Sequence, residues 1–152
     1  MERGGGSVIL RNCMMVWAHT AKRLCGKSME ALIKEFGLSY VELGILLFLH
    51  EHPQFDTSRD IAEFLMLAKS NVSTAVENLV QRGYLKRQAD PSDRRMIHLK
   101  LMETAQALIK QGDKAHEQLL NQLFAGFSTE EMAQVTGFCQ RLYTNAQEML
   151  KE

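Results

Sequence analysis

The chain has 152 residues, and its 18 basic side chains balance its 18 acidic ones, so its formal net charge is zero. This length suits one domain, residues 1–152, that buries roughly two-thirds of the surface of the unfolded chain. No run approaches the roughly 18 apolar residues that a membrane-spanning helix needs, and no apolar signal-peptide segment follows the start of the chain. We therefore expect a cytoplasmic protein with no membrane partner.

Two helices are predicted in the first third of the chain. The first should run from Ser7, its cap, to about Phe36. Ser39 and Glu42 then have the spacing of a capping box, which predicts a second helix that ends before Pro53. Apolar residues of the first helix recur at steps of four and three, as in a seam between helices: Leu10, Met14, Trp17, Ala21 and Leu24.

Residues 57–101 begin with two short helical patterns. The second pattern should start near Ala68 and end at Gly83, because glycine readily adopts the left-handed conformation that follows a helix. Two short helices this close can share a core only by crossing steeply, as in a helix-turn-helix. Their apolar positions are Ile61, Ala62 and Leu65 in the first helix, and Val72, Ala75, Val76 and Leu79 in the second.

Two strand-like segments follow, residues 84–88 and 96–101. In the second segment the apolar residues alternate with His98 and Lys100, which places these two polar residues on the opposite face from Leu99. The connecting loop is rich in turn-forming residues and ends in Arg94 and Arg95. A helix-turn-helix followed by such a hairpin predicts a winged helix.

The last third of the chain predicts two more helices. One should run over residues 103–124, and Ala125 and Gly126 should break it. Ser128 and Glu131 form a second capping-box pattern that starts the other helix. The last helix has a heptad seam made of Met132, Val135, Cys139, Leu142, Ala146 and Met149. These helices could pack on each other within one chain, but we favour packing against a second copy.

Charge and polarity point to DNA as the partner of the winged helix. From residue 68 to residue 100 there are seven Lys and Arg residues against three acidic ones, a net charge of +4 that the rest of the chain offsets. The polar face of the second short helix carries short donors and acceptors suited to phosphates and base edges. The predicted DNA contacts are Lys69, Ser70, Asn71, Ser73, Thr74 and Asn78 in that helix, and Arg94 and Arg95 in the loop. Two alternatives are a solvated polar face and a winged helix that binds protein.

Two segments resemble the MarR family of bacterial transcription regulators. Residues 90–95, DPSDRR, followed by an alternating strand, resemble that family's wing, and residues 79–85, LVQRGYL, resemble the end of its recognition helix. The order of elements also matches over nearly the whole chain. The sequence departs from the family at Ser92, where many members have arginine, and at Met102, where threonine is usual.

The resemblance implies a mostly α-helical fold with a small β-wing. It assigns residues 57–101 to the winged helix-turn-helix, and residues 7–53 and 103–151 to scaffold and dimerisation helices. It implies a homodimer that binds a pseudo-palindromic operator in double-stranded DNA, acts as a repressor, and puts an arginine such as Arg94 into the minor groove. We expect Arg95 to pair with Asp90 or Asp93 and hold the loop in shape.

A small lipophilic or aromatic ligand is the effector that the resemblance implies. Met14, Trp17 and His19 could line its cleft, although the first two are also ordinary core residues. We expect no cofactor and no metal, because the three cysteines lack CxxC spacing and the histidines are scattered. No nucleophile–base pair, phosphate-binding glycine loop or paired carboxylates indicate an enzyme.

An oxidant sensor is the remaining alternative. Hydroperoxide-sensing relatives have a reactive cysteine near the chain start, where this chain has Cys13. With the second helix as anchor, however, that cysteine falls on Met15, and its supporting tyrosines fall on His19 and Met29. Cys13 is therefore about 200° away around the helix.

Overall fold

The structure is a computed structural model that describes residues 4–151, and for residues 4–7 it describes only the backbone. Within that range the chain is mostly helical, with one small sheet, and divides into two compact units between Glu117 and Gln118. No described helix is long and apolar enough to cross a membrane. The elements are α1 (Gly4–Phe36), α2 (Tyr40–Glu51), α3 (Ser58–Phe64), α4 (Lys69–Gln81), β1 (Leu85–Ala89), β2 (Ile97–Leu101), α5 (Gln106–Leu123) and α6 (Thr129–Met149).

The predicted fold class and element order are confirmed. α1 begins at Gly4 rather than at Ser7, whose side chain lies outside the described part of the chain. Both predicted capping boxes form. The Glu42 N–H donates to Ser39 Oγ at 3.2 Å, and the Ser39 N–H donates to Glu42 Oε2 at 2.6 Å. At the start of α6, the Ser128 side chain and Glu131 make the same exchange. The assignment of residues 1–152 to a single domain stays a prediction.

α2 is the central helix of the first unit. Leu43, Ile45 and Leu46 are at most 1% exposed, and the helix is apolar on almost every side, as a fully buried helix must be. α5 approaches it closely at Gly112, where an added Cβ would lie 2.6 Å from Leu47 Cδ2. Glycine lowers the stability of α5 by roughly 1 kcal/mol relative to alanine. In return it allows α5 to pack directly on α2.

The helix-turn-helix consists of α3, a turn and α4. Ile61 of α3 is buried, and so are the four predicted apolar residues of α4: Val72, Ala75, Val76 and Leu79. α4 ends as predicted at Gly83, which has φ +76°. The Gly83 N–H donates to Val80 O at 3.0 Å and the Tyr84 N–H to Leu79 O at 2.9 Å. These two bonds form a Schellman motif, which satisfies carbonyls that the helix end leaves free.

The wing consists of β1, β2 and the loop between them, residues 90–96. The strands are antiparallel, with Leu85 opposite Leu101 and Gln88 opposite His98. The alternation predicted for β2 is confirmed, because Leu99 is buried in the core while His98 and Lys100 lie on the other face. The loop before α3 pairs with the free edge of β2, where the Leu99 N–H donates to Asp56 O at 2.7 Å, and the Asp56 side chain reaches His98 and Lys100 on that other face.

Both long terminal helices expose apolar side chains. In the first unit, the N-terminal half of α1 exposes Ile9, Leu10, Met14, Met15, Val16 and Trp17, each more than 50% accessible. In the second unit, α6 buries none of its 21 residues, all of which the structure describes. Its exposed apolar residues include Phe138, Leu142, Tyr143 and Met149. An amphipathic helix of this length needs an apolar partner, because propensity alone leaves isolated helices only marginally stable.

Candidate nucleic-acid interface

The outward face of α4 carries every residue that the sequence predicted there. Lys69, Ser70, Asn71, Ser73, Thr74 and Asn78 are all exposed, on the side of the helix opposite its buried residues. The helix starts after Ala68, whose side chain cannot cap it. The first N–H groups of α4, which have no helical acceptor, therefore remain available to an anion such as a phosphate.

Asn78 lies close to Glu42, which is buried at the start of α2. Burial would raise the pKa of Glu42, but the hydrogen bonds from Ser39, together with the nearby Asn78 side chain and Arg82 guanidinium, hold this pKa below its usual value. The contact of Asn78 with DNA stays a prediction.

Several of the cations that make residues 68–100 basic are already engaged. Arg87 Nη2 lies 2.8 Å from Glu77 Oε2, and Lys100 pairs with Asp56. The Arg82 guanidinium donates to two main-chain carbonyls, including Gly37 O at 2.8 Å. Among the described residues, four of the seven cations have neither an ion-pair partner nor a side-chain hydrogen bond within the protein: Lys69, Lys86, Arg94 and Arg95. Positive charge is therefore concentrated at the start of α4 and on the wing.

The wing loop is held by its own hydrogen bonds. Asp90 Oδ1 accepts from the Ser92 N–H at 2.7 Å, the Ser92 hydroxyl at 2.6 Å and the Asp93 N–H at 2.9 Å. The ion pair predicted for Arg95 does not form between the described side chains. Its main-chain N–H instead donates to Asp93 Oδ1 at 3.0 Å. Arg94 and Arg95 are both exposed at the tip of the wing.

The base of the wing is joined to the loop before α3 by a cluster of charged groups. His98 Nδ1 lies 2.6 Å from Asp56 Oδ1, and His98 Nε2 lies 3.1 Å from Asp90 Oδ2. Lys100 donates to the second oxygen of Asp56. The hydrogen bonds to Asp56 and then to Asp90 raise the pKa of His98 above its usual value. Sequence reasoning missed Asp56, because no local pattern connects it with β2.

Sequence reasoning also missed a capping box at Thr57 and Asp60, which does have a local signal. The Asp60 N–H donates to Thr57 Oγ1 at 3.2 Å, and the Thr57 N–H donates to Asp60 Oδ2 at 3.0 Å. A threonine followed three residues later by an acidic residue is the pattern that would have found it. This box fixes the start of α3 directly beside the charged cluster.

A cavity of about 590 Å³ lies in the first unit, between α1, α2, α5 and the turn of the helix-turn-helix. None of the three residues predicted to bind ligand lines it: Met14, Trp17 and His19 lie exposed on α1. Their role in ligand binding stays a prediction. The cavity is lined instead by Lys22, Cys25, Met29, Tyr40, Val41, Leu43, Gly44, Leu47, Phe48, Glu51, His52, Phe64, Leu65, Leu67 and His116.

Comparison with known proteins agrees with this architecture. The MarR family model matches residues 36–96. The HTH-type transcriptional regulator MhqR of Bacillus subtilis is 26% identical over 128 residues, which cover 84% of this chain and 88% of MhqR. Among solved structures, the transcriptional regulator PA3341 has a TM-score of 0.75 at 23% identity, covering 88% of this chain and 97% of that one.

The MepR–DNA complex of Staphylococcus aureus has a TM-score of 0.67 at 19% identity, covering 86% of this chain and 94% of MepR. At such low sequence identity the structural matches show the fold alone, so the resemblance to the family rests on the sequence matches. The family match spans the helix-turn-helix and the wing loop, where the structure places α4 and the exposed arginines. The family model over residues 36–96 and the curated relatives, which are transcriptional regulators, together support a MarR-family winged-helix regulator of transcription.

Proposed function

We propose that this chain is a sequence-specific, homodimeric repressor that binds a pseudo-palindromic operator in double-stranded DNA. In this proposal α4 lies in the major groove and the wing tip reaches the adjacent minor groove. The observation that carries it is the position of the unpaired cations: Lys69 opens α4, and Arg94 and Arg95 form the tip of the wing. A DNA-binding repressor acts where the operator lies, which places it in the cytoplasm.

Asn71 is the residue we assign to base reading. It lies exposed in the first turn of α4, the part of a recognition helix that meets base edges. An asparagine amide can donate a hydrogen bond to N7 of adenine and accept one from the N6 amino group, which makes a bidentate pair. Lys69, two residues earlier, carries a charge suited to a phosphate. The two residues should therefore contribute to binding in different ways.

Asn71→Ala should lose discrimination between operator and mismatched DNA, by on the order of 1–3 kcal/mol at one base pair per half-site. Lys69→Ala is the matched control, because removing a phosphate contact should weaken all duplexes about equally. Both variants are titrated against a selected operator, its single-base variants and random DNA. If Asn71→Ala discriminates between the operator and mismatched DNA as well as the wild type does, Asn71 does not read a base.

We assign dimerisation to the apolar faces of α1 and α6. Half-sites in duplex DNA are one helical turn or a multiple apart, so two rigidly joined copies suit a palindromic operator. The exposed apolar side chains of α1 and the absence of any fully buried residue along the described α6 support this assignment. Burying them against a second copy would remove a large apolar surface from water, which favours association.

We further propose that a small lipophilic or aromatic ligand in the cavity modulates DNA binding. The walls are mainly apolar, and the charged or polar lining residues are Lys22, His52, His116 and Glu51, which lies beside both histidines. Lys22 could pair with the carboxylate of an aromatic acid. The cavity also touches Phe64 and Leu67, which flank the turn that leads into α4. Phe64 packs against Phe55 at 4.4 Å between ring centroids. A ligand that displaces Phe64 would therefore disturb the start of the recognition helix.

Gly44→Leu should abolish the response to such a ligand. A Cβ at Gly44 would have no atom within 4 Å, and the residue lines the cavity, so a leucine there would extend its side chain into the ligand space. The probe is 2-naphthoic acid, and the readouts are its binding by calorimetry and its effect on operator affinity. If Gly44→Leu binds 2-naphthoic acid as tightly as the wild type does, the ligand binds outside this cavity.

A further inference from the structure

His98 lies between two carboxylates, one at each ring nitrogen. The nitrogen–oxygen distances are 2.6 Å to Asp56 and 3.1 Å to Asp90. A neutral imidazole has a single N–H, so one of the two carboxylates would then face a ring lone pair. Only the imidazolium form donates to both carboxylates. The geometry itself therefore selects the protonated ring.

The charged groups around His98 come from three parts of the first unit. Asp56 belongs to the loop before α3, Asp90 to the wing loop, and Lys100 to the same face of β2. β1 contributes the uncharged Gln88, opposite His98 in the sheet. With His98 protonated the cluster has two positive and two negative charges, and with His98 neutral it has a net charge of −1. The cluster is partly shielded from water, since the Asp56 side chain is 11% exposed and that of His98 is 24%.

This cluster is the side-chain link between the wing loop and the body of the winged helix. Asp90 is the first residue of the loop that carries Arg94, and it anchors that loop through Ser92 and Asp93. Asp56 is held to the sheet by its own carbonyl, which accepts from Leu99 at 2.7 Å. The His98 ring bridges the two aspartates. Losing one of its N–H bonds would break the side-chain bridge from the wing loop to the loop before α3 and leave the wing held there by the main-chain bond from Leu99 and by Lys100.

We propose that protonated His98 is a positioning residue for DNA binding, which fastens the wing to the helix-turn-helix and makes operator affinity depend on pH. The proposal rests on the proposed function, because it requires the wing to contact DNA. Deprotonation of His98 should weaken DNA binding for two reasons. It removes a hydrogen bond that holds the wing loop, and it leaves a net negative charge close to the phosphates that the wing arginines approach.

The direction of the effect follows from the pKa of His98. Hydrogen bonds to Asp56 and then to Asp90 raise this pKa, so the ring keeps its proton at pH values where an ordinary histidine has lost it. The bridge is complete at low pH and is lost as the pH rises through the raised pKa. The pKa values of both aspartates are lowered, so their carboxylates stay ionised over this range.

The experiment is a titration of operator affinity from about pH 5.5 to about pH 8.5, the range in which histidines change charge. Ionic strength is held constant, because affinity for DNA depends steeply on salt. The wild-type Kd should rise with pH. If bound DNA raises the pKa of His98 by one unit, the rise should be about tenfold per wing. His98→Gln should bind with the weaker, high-pH affinity throughout. His50→Gln, which removes an exposed histidine paired with Asp113, should retain the wild-type pH dependence.

A second variant and a direct measurement test the bridge without DNA. Asp90→Asn keeps the Oδ1 atom that accepts from Ser92 and Asp93 but replaces the oxygen that faces His98 with an amide. In the wild type the imidazole resonances of His98 should titrate above the usual histidine value of about 6.5. In Asp90→Asn the resonances of His98 should titrate at lower pH, and the loss of operator affinity should move to lower pH with them.

The outcomes separate this inference from the proposed function. A protein that binds its operator in a sequence-specific, salt-dependent way but with a flat pH profile, or a His98→Gln variant with the wild-type profile, overturns the inference alone. A His98 pKa at or below the ordinary value does the same. Failure to bind any duplex at any pH overturns the proposed function, and the inference with it.

Discussion

Arg94→Ala should lower affinity for every duplex and flatten the dependence of binding on salt. Arg94 is exposed at the wing tip and has no ion-pair partner among the described side chains, so its charge is available to the backbone of DNA. Each phosphate-neutralising contact contributes about one unit to the slope of log K against log salt, and a dimer has two such arginines. The slope should therefore fall by up to about 2, and affinity should fall roughly tenfold to a hundredfold at moderate salt.

Arg94→Lys is the matched control, because it keeps the charge but replaces the planar guanidinium. It should restore most of the salt slope while losing the preference for a narrow, A·T-rich minor groove that arginine senses. Fluorescence anisotropy with operator and random duplexes at several salt concentrations measures both quantities. Wild-type affinity and slope in Arg94→Ala would mean that the wing does not touch DNA.

The charge balance that motivated this prediction could be only partly read from the sequence. Residues 68–100 have a net charge of +4, but Arg87 is paired with Glu77 inside that segment, and Lys100 is paired with Asp56 outside it. A sum over residues cannot distinguish a solvated cation from one already neutralised. The structure narrows the positive surface to the start of α4 and the wing, where the predicted contacts Lys69, Arg94 and Arg95 lie.

Local signals predicted the helices and strands well. The apolar spacing and Gly83 placed the recognition helix at residues 68–83, and α4 spans Lys69–Gln81. The capping boxes at Ser39 and Ser128 placed two helix starts to within one residue. Each of these features depends on residues at most four positions apart. Their physical cause, a backbone group satisfied by a nearby side chain, is therefore visible in the sequence itself.

Contacts between distant residues could not be predicted in this way. Asp56 and His98 are 42 positions apart, and alternation along β2 revealed only that His98 would face away from Leu99. The cavity likewise depends on how four elements meet, so the spacing of apolar residues in α1 could not identify its lining. Met14 and Trp17 are exposed, and Met29 of the same helix lines the cavity instead. Such sites depend on packing, which no single stretch of sequence specifies.

Leu142→Glu should separate the dimer that we propose. Leu142 is 58% exposed on α6, in a heptad seam whose first two residues, Met132 and Val135, are partly buried and whose other residues are exposed. If that seam packs on a second copy, a glutamate there is buried, which costs several kcal/mol unless the group is neutralised or reaches water. A two-fold interface presents the substitution twice. The dimer dissociation constant should therefore rise at least a hundredfold, since about 1.4 kcal/mol corresponds to a factor of ten.

Gln140→Glu provides the matched control on the same helix. It adds the same charge about 200° away from Leu142, on the face opposite the seam, and should leave the dimer intact. Sedimentation velocity at micromolar concentration distinguishes monomer from dimer, and circular dichroism reports whether each variant remains folded. Operator affinity should fall sharply for Leu142→Glu, because a single copy reaches only one half-site. A folded Leu142→Glu variant that remains a stable dimer would exclude this face of α6 from the interface, and with it the arrangement that we propose for operator binding.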